Sequence, residues 1–386
     1  MGPRAGDAPL STDPLDASMS RARSGSDTSP SWWAKSRLAL GLSLSPLPGL
    51  LLLVGVALGP HGLQVLSPRV LSLLDPVVSV ALAALGVLIG LGLDLRRAGE
   101  WRLLGTASLE SGLTMLVVGA GVLAVGAGGP PGGLTLGLVA LLLAICASTS
   151  STRPPANPVG PAATVAQLGD LDDVLPIVVG GIALALLREP SLAAATWITA
   201  QAILLALAIA AAGRLLTAQA SSDAEERVFT IGTVMLLGGV AEFLSVSALL
   251  AGLVAGTFWT ARGGDVLTRI SRDIRHIQHP LVVLLLLIAG ARTTFVVGLG
   301  TLVLVYVTLR AVAKIGGGWL VARMGPVPLP SALGLHLMSP GVIAVAFALN
   351  AGQASDAVLP ILSIAVLGSL ASELLAQLVR PAERLA

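Results

Sequence analysis

The chain has 386 residues, of which 54% are apolar and only 11% charged, with a mean hydropathy of +0.88 and a formal net charge of +2. A soluble domain carries about 25% charged residues, so this chain lacks the charge to keep a globular surface wet, and a soluble enzyme is excluded. Apolar runs long enough to cross a bilayer recur between residues 38 and 379, which makes the expected class an all-α polytopic membrane protein.

Residues 1–37 are polar, rich in Ser, Arg, Asp and Pro, and without hydrophobic period. They read as a disordered cytoplasmic tail. The first apolar run leads into Gly59-Pro60-His61-Gly62 and not into a small-residue cleavage site, so it is no secretory signal. About 12 transmembrane helices follow in order, at 38–59, 74–94, 101–127, 134–150, 160–187, 191–216, 228–243, 245–260, 278–294, 297–322, 331–350 and 357–379. Residues 380–386 form a cytoplasmic C-terminus. With the N-terminus inside, Arg69, Arg188 and Arg292 fall outside and Arg310 and Lys314 within a span. The remaining 18 of the 23 Lys and Arg then lie in cytoplasmic segments. That bias predicts both termini inside and an even span count.

Two spans are interrupted by Ser, Thr, Pro and Gly. The fourth breaks around Ala147-Ser148-Thr149-Ser150-Ser151-Thr152-Arg153-Pro154-Pro155, the eleventh at Met338-Ser339-Pro340-Gly341. They occupy corresponding places in the two halves, as in inverted-repeat transporters whose broken helices meet at the membrane midplane. Each taken alone is also compatible with an ordinary kink or a helix end.

Ionisable groups within spans are costly and need a partner or a purpose. The sharpest cluster is Gly169-Asp170-Leu171-Asp172-Asp173. Adjacent buried carboxylates favour protonation, and the same oxygens are hard ligands for Na⁺ or a similar cation, so such a site can exchange one for the other. The alternative is a solvated helix start after the Pro-rich 153–161 stretch. Lys314 lies mid-span and must pair, deprotonate or face water, while Arg310 sits one turn earlier on the same face. Arg stays charged where Lys shifts readily, so Arg310 reads as a structural cation and Lys314 as the one able to exchange a proton. Glu110 and Glu242 are secondary candidates, either gating or structural. His336, one turn before the second break, is a candidate pH sensor or a satisfied bundle residue. Glu373 reads as a packing or interfacial residue. The single Cys146 offers neither a disulfide nor a thiolate metal site, and no cofactor or nucleic-acid partner is expected.

Gly59-Pro60-His61-Gly62, Leu88-Ile89-Gly90-Leu91-Gly92-Leu93-Asp94-Leu95 and Asp172-Asp173-Val174 follow one another along the chain. After them come Ala241-Glu242, Ser247, Ala251-Gly252-Leu253, Arg310, Lys314, Ala322-Arg323 and Ser339-Pro340-Gly341. In that order they resemble the bacterial sodium/proton antiporters of the monovalent cation:proton antiporter superfamily, over roughly residues 47–375. The resemblance implies inverted repeats with the fourth and eleventh helices crossing, and a mobile core of about 101–187 and 297–379. A dimerising scaffold of about 38–94 and 191–294 would hold it. It implies a salt bridge between Asp172 and Lys314, Asp173 as the main ion- and proton-carrying carboxylate, and oxygens from Thr149, Ser150 or neighbours. It also implies electrogenic exchange of Na⁺ (or Li⁺ or K⁺) for H⁺ across a bacterial cytoplasmic membrane, by a homodimeric transporter and not an enzyme. The chain departs from the pattern at the first break, where Ser150-Ser151-Thr152-Arg153 replaces the usual Ser-Pro.

Asp170-Leu171-Asp172-Asp173 also spells the acidic signature of some terpene cyclases, but six Trp, five Phe and one Tyr are too few to wall a carbocation. A sodium-coupled organic-anion symporter of similar fold is the better alternative. It would need polar contacts for a solute, and Lys314 opposite an Asp pair would be unusual there.

Overall fold

A computed structural model describes residues 47–94, 96, 98–126, 134–152, 160–295 and 298–379. The expected tail at 1–37, the start of the first span and the C-terminal 380–386 lie outside them. Among the described residues the chain is all helix, with no strand. The helices are α1 (Leu47–Leu58), α2 (Pro68–Leu73), α3 (Asp75–Leu91), α4 (Ala98–Val125), α5 (Leu136–Ser148), α6 (Pro161–Leu171), α7 (Val174–Arg188) and α8 (Leu192–Gln219). They continue as α9 (Asp223–Phe243), α10 (Ala248–Arg262), α11 (Asp265–Ala291), α12 (Leu299–Met324), α13 (Leu333–His336), α14 (Val342–Ala354) and α15 (Leu359–Val379). Five are long and apolar enough to cross a membrane, at Gly99–Val125, Leu192–Gln219, Asp265–Ala291, Leu299–Met324 and Asp356–Leu378.

Local chemistry explains the ends. Ser67, Thr135, Ser222 and Ser247 each cap a helix start by accepting from a backbone N–H three residues on. At the start of α9 the Ser221 N–H and hydroxyl both donate to Glu225, which holds that carboxyl below its ordinary range. The turn between α9 and α10 closes through Ser245 in a left-handed backbone conformation.

Three elements differ from the reading of the sequence. The span expected at 160–187 is two helices, α6 and α7, interrupted at Asp172-Asp173. The cause is Pro176, which lacks the N–H that would bond the Asp172 carbonyl one turn back. The span expected at 278–294 is the far end of a longer helix, because the Arg-rich segment before it is amphipathic and coils as part of α11. The span expected at 331–350 has its interruption where the sequence put it, between the short α13 and α14, and differs only in running on to Ala354.

α5 and α14 have 13 residues each. At 1.5 Å per residue each is about 20 Å long, shorter than the roughly 30 Å of a bilayer's hydrocarbon core.

The tightest packing is between α3 and α10. A Cβ placed on Gly86 or Gly90 would strike the backbone of Leu249 or Leu253, and one on Gly252 or Gly256 would strike that of Ala83 or Val87. Two glycines four residues apart on each helix thus let backbones touch, the usual device where lipid supplies no hydrophobic drive. This explains why glycines stand in Leu88-Ile89-Gly90 and in Ala251-Gly252-Leu253. Gly252→Val is expected to destabilise the fold by about 1–3 kcal/mol, as overpacking does. Gly232→Ala, where a Cβ meets nothing, should be neutral or slightly stabilising. Thermal unfolding of the two variants in detergent checks this.

Candidate ion site

The interruption between α6 and α7 presents Asp172 and Asp173 to the interior, 0% and 7% exposed. Both keep right-handed helical backbone angles, so the chain bends without unwinding. The Asp172 carbonyl orphaned by Pro176 accepts instead from the Ser111 hydroxyl of α4 at 2.6 Å. This side chain therefore pins the kink, and the sequence alone gave no signal for it.

Lys314, on α12 and completely buried, is held by three oxygens. Its Nζ lies 2.9 Å from Glu110 Oε2, 3.2 Å from Asp172 Oδ2 and 2.5 Å from the Ser148 carbonyl. The ion pair between Asp172 and Lys314 that the resemblance implied is present in the geometry, but Glu110 is the nearer partner. Glu110's other oxygen accepts from Thr114 at 3.1 Å, so this carboxylate is fully engaged. Asp172 is half engaged, because its Oδ1 is buried with no hydrogen-bond partner. Asp173 has no cation within ion-pair distance among the described residues, and its Oδ1 is likewise buried without a partner.

Arg310, one turn before Lys314 and 1% exposed, donates to the carbonyls of Ala147 and Thr149. Arg310 and Lys314 together take three consecutive carbonyls at the end of α5. Those are the orphan acceptors of a helix C-terminus, where partial negative charge gathers. A helix end buried this deeply needs such donors, and these two cations supply them.

The two breaks touch. The Ser151 N–H donates to the Ser339 carbonyl at 2.9 Å, and a Cβ on Gly341 would approach the Ser150 carbonyl at 3.0 Å. The Ser150 side chain adjoins Asp172 and its backbone N–H faces Asp173. Its hydroxyl is buried and makes no hydrogen bond of normal geometry. The Thr149 hydroxyl, by contrast, donates to the Cys146 carbonyl at 3.4 Å. Of the two hydroxyls expected to face the ion, Ser150 is the uncommitted one. Arg153, Pro154 and Pro155 of the first break lie outside the described residues.

Other expected residues fall elsewhere. Pro340 follows Ser339 in the second break, and the Ser339 hydroxyl donates to Glu373 on α15. Glu373, expected to be a packing or interfacial residue, thus reaches that break. His336 ends the short α13 and is half-buried. Glu242 lies at the end of α9, far along the bundle in a separate polar cavity.

No protein-family model matches the chain, and no curated protein matches its sequence. Among solved structures it is similar to the sodium proton antiporter MjNhaP1 from Methanocaldococcus jannaschii at pH 8, with a TM-score of 0.61 and 15% identity. The match covers 90% of this chain and 96% of that one. The fold is therefore of the sodium/proton exchanger type, and the chain is an integral membrane protein.

Two outcomes follow from the geometry. Lys314→Met strands two carboxylates and a carbonyl, and is expected to cost about 3–5 kcal/mol of stability, as breaking a buried pair does. Ser111→Ala should cost about 1 kcal/mol. In a Pro176→Ala background, where residue 176 regains an N–H for the Asp172 carbonyl, that second cost should shrink. Paired melting curves of the single and double variants test the coupling.

Proposed function

We propose that this protein exchanges Na⁺, or another monovalent cation, for H⁺ by alternating access, with Asp173 as the exchanging carboxylate. The observation that carries the reading is a charge imbalance. Among the described residues, Glu110, Asp172 and Asp173 converge on the end of α5, whereas only Lys314 and Arg310 supply positive charge there. Lys314 is committed to Glu110 and Asp172, and Arg310 to backbone carbonyls. One carboxylate is left over, and a proton or a small cation can neutralise it, but not both together.

In this mechanism a proton on Asp173 is displaced by a cation that Asp173 coordinates together with the free Oδ1 of Asp172 and the Ser150 hydroxyl. These are hard oxygen donors suited to Na⁺ or Li⁺. Glu110 and Arg310 position the site without carrying the ion. α5 and α14 form the crossing pair of broken helices, and the site would be opened to each side in turn by moving the core helices α4–α7 and α12–α15 against the scaffold. The contacts of α3 with α9 and α10, and of α1 with α11, support a separate scaffold group. A homodimer formed through that scaffold belongs to the same reading.

The protein is then a transporter and not an enzyme, placed in a bacterial cytoplasmic membrane with both termini inside. The orientation is supported by Arg227, Arg269 and Arg272, which gather with Glu226 and Asp273 at one end of α9 and α11. Exchange is electrogenic, so each net charge moved gains about 2.3 kcal/mol per 100 mV of membrane potential. Nothing in the geometry favours an organic-anion symporter.

The test is cation-dependent dequenching of a pH dye in proteoliposomes, with NaCl, LiCl and KCl added in turn. Asp173→Asn is expected to abolish the response while the protein remains folded. Full exchange by that variant would overturn the reading.

A further inference from the structure

At the end of α14 opposite to the break lies a second polar site. A cavity of about 40 Å³ is lined by Ser79 of α3, Glu242 at the end of α9, Ser245, and Asn350 and Gln353 of α14. About 10–15 Å³ suffices for one water, so the space admits a small cation with a water or two. It lies 11 residues along α14 from its first turn, about 16 Å at 1.5 Å per residue.

The surrounding polar groups are largely committed, and what they leave over is oxygen. The neighbouring Asp75 is neutralised by Arg292 at 2.5 Å. The Gln353 amide nitrogen donates to the Asp75 carbonyl at 3.0 Å and to Ser79 Oγ at 3.2 Å. With its nitrogen so fixed, Gln353 Oε1 is buried and has no hydrogen-bond partner. Asn350 Oδ1 accepts from Ser247 at 3.2 Å, which fixes that amide too. Glu242 faces Ser79 and has no salt bridge among the described residues.

We infer that this cavity is a second cation site, an outer station for the same monovalent ion. Glu242 is its one charged ligand, and Gln353 Oε1 and Ser79 Oγ are neutral ones. A single carboxylate with neutral oxygens suits a partly hydrated monovalent cation, whereas divalent ions draw more carboxylates. Such a site binds weakly, as a station on a path must if the ion is to leave again. It joins helices from both groups, α3 and α9 on one side and α14 on the other, so an ion there bridges the parts proposed to move. The assignment of this end as external rests on the proposed orientation and transport.

Two measurements test it. In proteoliposomes, Glu242→Gln is expected to raise the half-saturating Na⁺ concentration about fivefold when Na⁺ is supplied from the outer side, and to leave it unchanged from the inner side. An unchanged value from both sides, or an equal rise from both, would overturn the site. The second measurement does not depend on transport: ²²Na⁺ binding to purified protein by scintillation proximity. Asp173→Asn should retain weak Na⁺ binding, and the double variant Asp173→Asn/Glu242→Gln should lose it. No residual binding in the single variant, or residual binding that survives in the double variant, counts against the site. If wild type shows no exchange with any cation, the transport reading fails, and the binding experiment alone then decides the site.

Discussion

A lysine buried completely in a membrane protein dictates much of what surrounds it. Lys314 is stable there only because Glu110, Asp172 and the Ser148 carbonyl close on its ammonium group. Each comes from a different helix: α4, the kink between α6 and α7, and the end of α5. The ammonium group is thus a junction for four elements, and desolvation makes the junction strict, because a lost partner leaves a buried charge uncompensated. The bend at Asp172, the pinning of its carbonyl by Ser111 and the placement of Arg310 all serve that geometry.

The broken helices follow from the same electrostatics. A helix end buried in the protein leaves carbonyls that water cannot reach. Arg310 and Lys314 supply the missing donors, so the cations that balance the carboxylates also terminate α5. This double use is why the carboxylates, the cations and the breaks occupy one small volume. Among the described residues Asp173 has no cation within ion-pair distance, and the proposed chemistry rests on that remainder. The further cavity at Glu242 repeats the theme more weakly, with one carboxylate, fixed amides and an oxygen left over.

Close helix contact made by glycine is the other structural constraint. Gly86, Gly90, Gly252 and Gly256 bring α3 and α10 backbone to backbone. Glycines that stood in the sequence only as parts of recurring motifs gain a steric reason once the partner helix is known.

By itself the sequence determined that the chain is helical and lives in a membrane, because low charge and long apolar runs leave no other solvent. It marked both breaks, since Pro, Gly and hydroxyl residues interrupt apolar runs visibly, and it singled out Asp172, Asp173, Arg310 and Lys314, since ionisable groups in such runs are conspicuous. Only the tertiary structure decided the pairings. Glu110 stands 204 residues from Lys314, and nothing local distinguishes it from Glu242, so its place beside the lysine depended on how α4 packs on α12. Ser111, Gln353 and Glu373 became legible in the same way, as ordinary polar residues until a distant helix brought them an orphaned carbonyl, a cavity or a broken turn. Periodicity and composition report what a residue's own helix needs, whereas the partner of a buried charge is fixed by packing across helices.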